Sequence, residues 1–96
     1  MVRFDWDPAK ATANLKKHGV RFEEAITAFD DPFALVAFDG DNSTEEAREI
    51  LLGRATRNVV VVVFTVRDGE THRIISARKA SREERKRYEE SKALPF

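Results

Sequence analysis

The stretch VVVVVFTVRDGETHRIISAR, residues 59–78, decides the fold because it predicts two adjacent β-strands. It begins with an uninterrupted apolar run, which is typical of a strand covered on both faces. Asp68-Gly69 is a common turn sequence, and the residues that follow are again rich in β-branched side chains. We therefore predict a β-hairpin whose first strand lies at the centre of a sheet.

Pairing within this hairpin determines which side chains share a face. With an even loop between Arg67 and His72, odd positions of the first strand face the same way as even positions of the second. One face then carries a mixed set: Val61, Val63, Thr65, Arg67, His72, Ile74, Ser76 and Arg78. The other face is nearly all apolar and should receive the helices: Val60, Val62, Phe64, Val66, Arg73, Ile75 and Ala77. An odd loop would exchange the faces of one strand.

Length and composition indicate one small domain covering residues 1–96. The chain has 96 residues, of which 42% are hydrophobic and 35% charged, as in globular proteins. It contains no cysteine and therefore no disulfide. No stretch resembles a signal peptide or approaches the ~20 apolar residues of a membrane span, so we expect a cytoplasmic protein without a membrane partner.

The charge is unevenly distributed although the formal net charge is zero. Residues 1–66 contain 8 basic and 11 acidic residues, whereas residues 67–96 contain 9 and 6. Seven of the basic residues lie within residues 73–87. A basic run of this kind most often forms a solvated helix face, but it also allows one side of the molecule to bind a polyanion.

The remaining pattern predicts an α+β domain with the element order β-α-α-β-β-β-β-α. The predicted ranges are a strand at 2–6, helices at 8–17 and 22–29, strands at 33–39 and 48–55, the hairpin, and a helix at 82–91. Asp7-Pro8 and Gly19 bound the first helix, and Ser81 with Glu84 forms a capping box for the last.

Residues 43–46 also spell a capping box, which would allow a helix through Leu52. We favour a strand here because residues 56–58 form a natural turn into the valine run. With even pairing across that turn, Arg48 and Arg54 join the face of Arg67 and Arg78, while Leu51 and Ala55 enter the core. The apolar tail, residues 93–96, should be frayed or docked on a partner.

No metal or cofactor site is expected. The sequence has no glycine-rich phosphate loop, and the acidic residues at 39, 41, 45 and 46 fit turn and cap chemistry better than a cation site. His18 lies at a predicted helix C-terminus, where a cation is favoured for structural reasons. His72 begins a strand beside the turn, where simple exposure is the more common role.

Guanidinium groups are the chemical feature that the sequence offers. Cleavage of RNA through its own 2′-hydroxyl requires a base, an acid and fixed positive charge beside the phosphate, but no metal. Arginines held by a sheet can supply the charge and bind phosphates with two hydrogen bonds. We predict that Arg67 and Arg78 bind the scissile phosphate, with Tyr88 and His18 as candidates for proton transfer or base stacking. The predicted RNA-binding residues are Lys17, Arg48, Arg54, Lys79, Arg82 and Arg85.

Several segments together resemble the BrnT family of bacterial type II toxins. They are FDWDPAKATANLKKHGVRFEEA, FDDP, the Ser43/Glu46/Arg48 stretch before Leu52-Gly53, VVVVFTVR and RIISARKASREERKRYEE. The resemblance implies a RelE-like fold, with two N-terminal helices and a C-terminal helix on an antiparallel sheet. It also implies ribonuclease activity that arrests growth, a BrnA-type antitoxin that blocks it, and operator DNA bound only through the antitoxin.

The resemblance matches individual positions and also shows two departures. The matching residues are Lys17, His18, Gly19, Thr65, Arg67, residues 73–78, Arg85 and Tyr88. Many relatives carry histidine where this chain has Asn42, and serine where it has Arg21. If that histidine is essential, the protein is weak or inactive as an enzyme. The alternative functions are a non-catalytic, partner-dependent binding module or co-repressor, and a degraded toxin kept for complex formation.

Overall fold

A computed structural model describes residues 2–40 and 47–93, which form a mixed α+β fold. The elements follow the predicted order. Their bounds are β1 Arg3–Asp5, α1 Pro8–His18, α2 Phe22–Ala25, a 3₁₀ helix Ile26–Asp30, β2 Leu35–Phe38, β3 Glu49–Arg54, β4 Val59–Arg67, β5 Thr71–Lys79 and α3 Arg82–Ala93.

The five strands form one sheet in the order β1-β5-β4-β3-β2. The valine run β4 is therefore the central strand, as predicted. Strands β2 to β5 pair antiparallel, but β1 pairs parallel with β5, so the prediction of a purely antiparallel sheet is wrong. A parallel arrangement is possible here because most of the chain separates β1 from β5, whereas a tight turn can join only antiparallel neighbours.

The sheet has one face toward α1 and α2 and one toward α3. The α1 face carries Val60, Val62, Phe64 and Ala77, which pack with residues of the N-terminal helices in the main core. The α3 face carries Leu52, Val59 and Val61, which form a smaller cluster with Tyr88. The burial of β4 on both faces explains its unbroken apolar sequence.

Helix α1 begins at the predicted residue, Pro8, and ends at His18, one residue beyond the predicted end. The Asp7 side chain accepts a hydrogen bond of 2.8 Å from the Ala9 N–H, and Pro8 occupies the first turn. Gly19 ends the helix in the left-handed conformation, with φ 70°. The second predicted helix is shorter than expected, because α2 ends at Ala25 and a 3₁₀ helix follows. Such tightening is common at helix C-termini.

Asn14 is a buried polar residue that joins α1 to the sheet. Its side-chain amide donates hydrogen bonds to the Ala77 carbonyl at 2.8 Å and to the Val20 carbonyl at 3.0 Å. Its carbonyl oxygen accepts from the Ala77 N–H at 3.1 Å. One side chain thus satisfies three backbone groups at the junction of helix and strand.

The register of the hairpin differs from the prediction. Arg67 pairs with Thr71, so the loop has an odd number of residues, and His72 pairs with Val66. His72 and Ile74 therefore lie on the α1 face and Arg73 on the other, opposite to the predicted assignment. Ile75 forms a bulge in β5, because Ile74 pairs with Phe64 but Ser76 pairs with Val63. Beyond this bulge, the residues of β5 lie on the predicted faces again.

The β3–β4 pairing confirms the prediction made for an even turn. Arg54 pairs with Val59, which places Arg54 on the α3 face, while Leu51 and Ala55 are buried in the main core. Glu49–Arg54 form strand β3, so the alternative prediction of a helix through Leu52 is wrong. The capping box at 43–46, Asn42 and residues 94–96 of the tail lie outside the described residues. Within the described parts of the chain, no helix is long and apolar enough to span a membrane.

Candidate ribonuclease site

Arg78 and Glu84 form an ion pair at the end of β5 where α3 begins. The Arg78 Nη1 donates to Glu84 Oε1 at 2.8 Å, and Nη2 donates to Oε2 at 2.9 Å. Glu84 also accepts a hydrogen bond of 2.7 Å from the Ser81 N–H, while its own N–H donates to Ser81 Oγ at 3.2 Å. The predicted capping box is thus confirmed, and its carboxylate also binds the arginine.

This pair strongly favours the charged form of both groups. The hydrogen bonds from Arg78 are the main reason that the pKa of Glu84 falls to about 2. The hydrogen bond to Glu84 likewise raises the pKa of Arg78. The Arg78 side chain nevertheless keeps 45% of its surface exposed, so solvent and ligands can reach the guanidinium.

Arg67 lies on the same face of the sheet as Arg78, but at a distance from it. Arg78 pairs with Val61, and Val61 and Arg67 are both odd positions of the unbroken strand β4. The hairpin loop has an odd number of residues, which alone would place Arg67 and Arg78 on opposite faces. The bulge in β5 shifts the pairing by one residue and returns Arg78 to the face of Arg67. Val61 and Arg67 are separated by six residues, or about 20 Å along the strand. The backbone positions of Arg67 and Arg78 therefore lie near opposite ends of β4.

Tyr88 attaches α3 to the body of the protein. Its side chain is only 1% exposed, and its hydroxyl donates a short hydrogen bond to Asp31 Oδ2. The Arg54 N–H donates to the same oxygen at 2.8 Å, and the Phe33 N–H donates to Asp31 Oδ1 at 2.9 Å. The Tyr88 hydroxyl is therefore already hydrogen-bonded within the protein.

The electrostatics of this contact keep the tyrosine protonated and the aspartate ionised. Burial, followed by the hydrogen bond to Asp31, raises the pKa of Tyr88 to about 12. Burial by itself would raise the pKa of Asp31, but the hydrogen bonds from Tyr88 and two backbone N–H groups outweigh it, so this pKa is lowered. Proton transfer from Tyr88 to RNA would require the hydroxyl to leave Asp31.

Three charged residues surround the contact between Tyr88 and Asp31: Arg54, Glu89 and Lys92. Arg54 Nη2 lies 3.2 Å from Glu89 Oε1, and its guanidinium lies 6.0 Å from the centre of the Tyr88 ring. Lys92 Nζ lies 5.5 Å from the same ring centre. Arg54 therefore helps to hold α3 while keeping 46% of its side chain exposed. Arg48 lies just before β3, where its carbonyl accepts a hydrogen bond from Asp39 N–H at 2.8 Å.

The first two turns of α3 carry exposed arginines. Arg82 and Arg85 are exposed, and neither side chain makes an ion pair with any residue in the described parts of the chain. Lys79 is also exposed, but it pairs with Val60, whose side chain belongs to the α1 face. Of these three predicted RNA contacts, Arg82 and Arg85 thus lie on α3, which begins just after Arg78.

The structure does not bring the histidines to the arginine face. His18 and Lys17 lie at the end of α1, which packs on the opposite face. The His72 ring stacks on Phe64 with centroids 5.3 Å apart and also contacts Phe4 and Phe29. His72 thus has an aromatic packing environment, contrary to the predicted exposure at the start of a strand.

Two acidic residues of this region were not predicted as partners of the arginine and the tyrosine. The capping-box sequence predicts the role of Glu84 at the start of α3. Its ion pair with Arg78 depends on the direction in which α3 leaves the sheet. Asp31 follows the 3₁₀ helix, and its contact with Tyr88 spans 57 residues of sequence. No local sequence signal identifies a contact of that range.

Comparisons with known proteins identify the family of this chain and a solved structure with a similar fold. The family model described as the BrnT ribonuclease toxin of type II toxin–antitoxin systems matches residues 6–84. The crystal structure of the ribonuclease toxin BrnT from Brucella abortus has a similar fold, with a TM-score of 0.66 and 24% sequence identity. The alignment covers 85% of this chain and 100% of the Brucella chain. Comparison with curated protein sequences gave no match.

The family match covers most of the chain, including both strands of the hairpin, the Arg78–Glu84 pair and the start of α3. The chain therefore belongs to the BrnT family of ribonuclease toxins of type II toxin–antitoxin systems.

Proposed function

We propose that this toxin is a metal-independent endoribonuclease that uses the 2′-hydroxyl of RNA as the nucleophile and thereby arrests growth. The observation that carries the proposal is the exposed, carboxylate-oriented guanidinium of Arg78 beside the exposed arginines of α3, in a chain of the BrnT family. The arrangement is consistent with a RelE-like fold, in which basic residues on the sheet serve RNA cleavage.

Arg78 is the residue that we place at the scissile phosphate. Glu84 holds two of its nitrogen atoms, so the guanidinium is oriented before RNA binds and loses little side-chain freedom on binding. Its charge would stabilise the additional negative charge that develops on the pentacovalent phosphate. Arg67, about 20 Å away along the sheet, would bind a different phosphate of the same strand.

Other basic residues would hold the rest of the RNA. Arg82 and Arg85 are exposed on α3 and would bind backbone phosphates, with Arg48 and Arg54 on the side of β3. Lys17 and Lys79 remain predicted RNA contacts at the margin of this surface. The proposed roles of His18 and Tyr88 in proton transfer require either a change in the position of these residues or RNA that reaches both faces.

The family implies a protein antitoxin as well as an RNA substrate. We propose that the antitoxin is BrnA-like and that operator DNA is bound only through it. The exposed cations of α3 fit an acidic antitoxin segment as well as RNA, which gives the antitoxin a direct means of blocking cleavage. The cytoplasm is the compartment that contains both RNA and operator DNA.

A non-catalytic binding module is the second candidate. It is favoured by the engagement of Arg78 with Glu84 and of Tyr88 with Asp31. Asn42, in place of the histidine of many relatives, instead favours a degraded toxin kept for complex formation. Restoring histidine at position 42 tests that alternative, because an increase in cleavage from an inactive protein would identify the chain as a degraded toxin.

Cleavage of total RNA by purified protein in EDTA tests the proposed function directly. We expect fragments with 2′,3′-cyclic phosphate ends, and loss of cleavage in Arg78→Ala. Lys10→Ala is the control, since Lys10 is exposed on α1, which packs on the other face of the sheet. Intact RNA with the wild-type protein, or cleavage by Arg78→Ala at the wild-type rate, would contradict the proposal.

A further inference from the structure

An open apolar groove lies beside the Arg78–Glu84 pair, between the sheet and α3. Its volume is about 370 Å³. Aliphatic side chains and two charged residues line it, among them Leu35, Ile50, Leu52, Val61, Glu84 and Arg87. Small-molecule sites usually occupy about 300–1,000 Å³, so this groove has room for one small group rather than a helix.

The charges at the groove favour an anionic ligand. The carboxylate of Glu84 is already matched by two hydrogen bonds from Arg78. Arg87 is exposed, and its side chain has no ion-pair partner among the residues that the structure describes. The groove therefore combines an apolar surface with a net positive mouth, which matches the apolar faces of a nucleobase and the phosphate attached to its ribose.

The position of the groove links it to the arginine. Val61 lines the groove and is also the pairing partner of Arg78 on the neighbouring strand. Adjacent strands are about 4.8 Å apart, so a base seated over Val61 has its phosphate within reach of the Arg78 side chain. The apolar surface and the guanidinium are thus arranged like the two parts of one nucleotide.

On the basis of the ribonuclease function proposed above, we infer that this groove seats one nucleobase of the bound RNA, next to the scissile phosphate. The aliphatic side chains contact the faces of the base, which are similar in all four nucleotides. The groove therefore holds the strand in position and contributes little sequence preference by itself. Arg87 would contact the phosphate or the edge of the seated base.

Ala37→Trp is a suitable test because Ala37 lines the groove from β2 and is exposed. The new indole would fill the groove without replacing a core side chain. The matched control is Ala13→Trp, at an exposed position of α1 on the other side of the sheet. Circular dichroism and thermal unfolding would establish that both variants fold like the wild type.

The binding probe is a fluorescent 2′-O-methyl pentaribonucleotide, which cannot be cleaved because its 2′-hydroxyls are blocked. A second probe lacks the central base. We expect the abasic probe to bind wild type and Ala13→Trp about tenfold more weakly than the complete probe. For Ala37→Trp, we expect the two probes to bind with affinities within about twofold of each other.

Cleavage assays distinguish failure of this inference from failure of the proposed function. If wild type cleaves RNA and Ala37→Trp still prefers the complete probe about tenfold, the groove does not seat the base, although the ribonuclease function stands. If wild type cleaves no RNA, the function itself fails and the groove inference fails with it. Unchanged RNA binding with loss of antitoxin neutralisation in Ala37→Trp would identify a protein-docking groove and overturn the inference.

Discussion

The guanidinium of Arg78 and the carboxylate of Glu84 meet edge to edge, through two hydrogen bonds of 2.8 and 2.9 Å. This pair orients the arginine, but it also compensates the positive charge that RNA would otherwise encounter. Substitutions at Glu84 can therefore separate the orienting effect from the electrostatic effect.

Glu84→Gln should strengthen RNA binding and make it more dependent on salt. Removal of the carboxylate charge leaves Arg78 free to neutralise one additional phosphate. The slope of log K against log salt should become steeper by about 0.7 for a single-stranded RNA. Anisotropy titrations of the 2′-O-methyl probe at several salt concentrations measure this slope. Glu83→Gln, the same charge change on an exposed neighbour, should leave it unchanged; equal slopes for all three proteins would exclude the effect.

The Arg78–Glu84 pair should also stabilise the protein in a pH-dependent manner. The pKa of Glu84 is lowered to about 2 in the folded state from 4.5, so its contribution is complete above about pH 5 and is lost as the pH falls toward 2. After allowance for the exposure of Arg78, we expect about 1 kcal/mol at neutral pH. Urea unfolding of wild type and Glu84→Gln should show this difference shrinking below about pH 5. A constant difference would mean that ionisation of Glu84 is not its source.

Titration of tyrosine absorbance should report the environment of Tyr88 directly, because it is the chain's single tyrosine. We expect half-ionisation near pH 12, since burial and the bond to Asp31 oppose loss of the proton. Asp31→Asn should move the midpoint toward 10, because it removes the neighbouring negative charge. Circular dichroism at each pH would show whether the protein is still folded. A wild-type midpoint near 10 would mean that the phenol is open to solvent.

Asn14→Ala should destabilise the protein by about 2–3 kcal/mol, because three hydrogen bonds to buried backbone groups are lost. Thr12→Ala is the matched control on α1, where the exposed hydroxyl bonds only the Pro8 carbonyl. It should cost less than about 0.5 kcal/mol. Urea unfolding at neutral pH measures both values. Similar losses in the two variants would show that the amide bridge contributes little.

The order of the elements was predictable because each has a local signal. The valine run and Asp68-Gly69 indicated the hairpin, and Asp7-Pro8 and Gly19 bounded α1. The hairpin register was not predictable in this way. It depends on one residue in the turn and on the unpaired Ile75 of the bulge, and neither changes the apolar pattern enough to be recognised.

The arginines were predictable as a group, but their partners were not. An even hairpin loop predicted that Arg67 and Arg78 share a face; they do, but because a bulge in β5 compensates for an odd loop. The ion pair of Glu84 with Arg78 and the contact of Asp31 with Tyr88 depend on tertiary packing. The sequence likewise could not show that the hairpin places His72 among Phe4, Phe29 and Phe64.

The separation of Arg67 and Arg78 leads to a final prediction about their combined effect. Two arginines that bind the same phosphate should show strong coupling when both are removed, whereas arginines about 20 Å apart should act independently. We expect Arg67→Ala and Arg78→Ala each to weaken RNA binding, and the double variant to show the product of the two fold-changes. Arg78→Ala combined with Glu84→Gln provides the contrast, because these residues are in contact and should not be additive. Strong coupling between Arg67 and Arg78 in anisotropy titrations would mean that RNA binding brings the two guanidiniums to one phosphate.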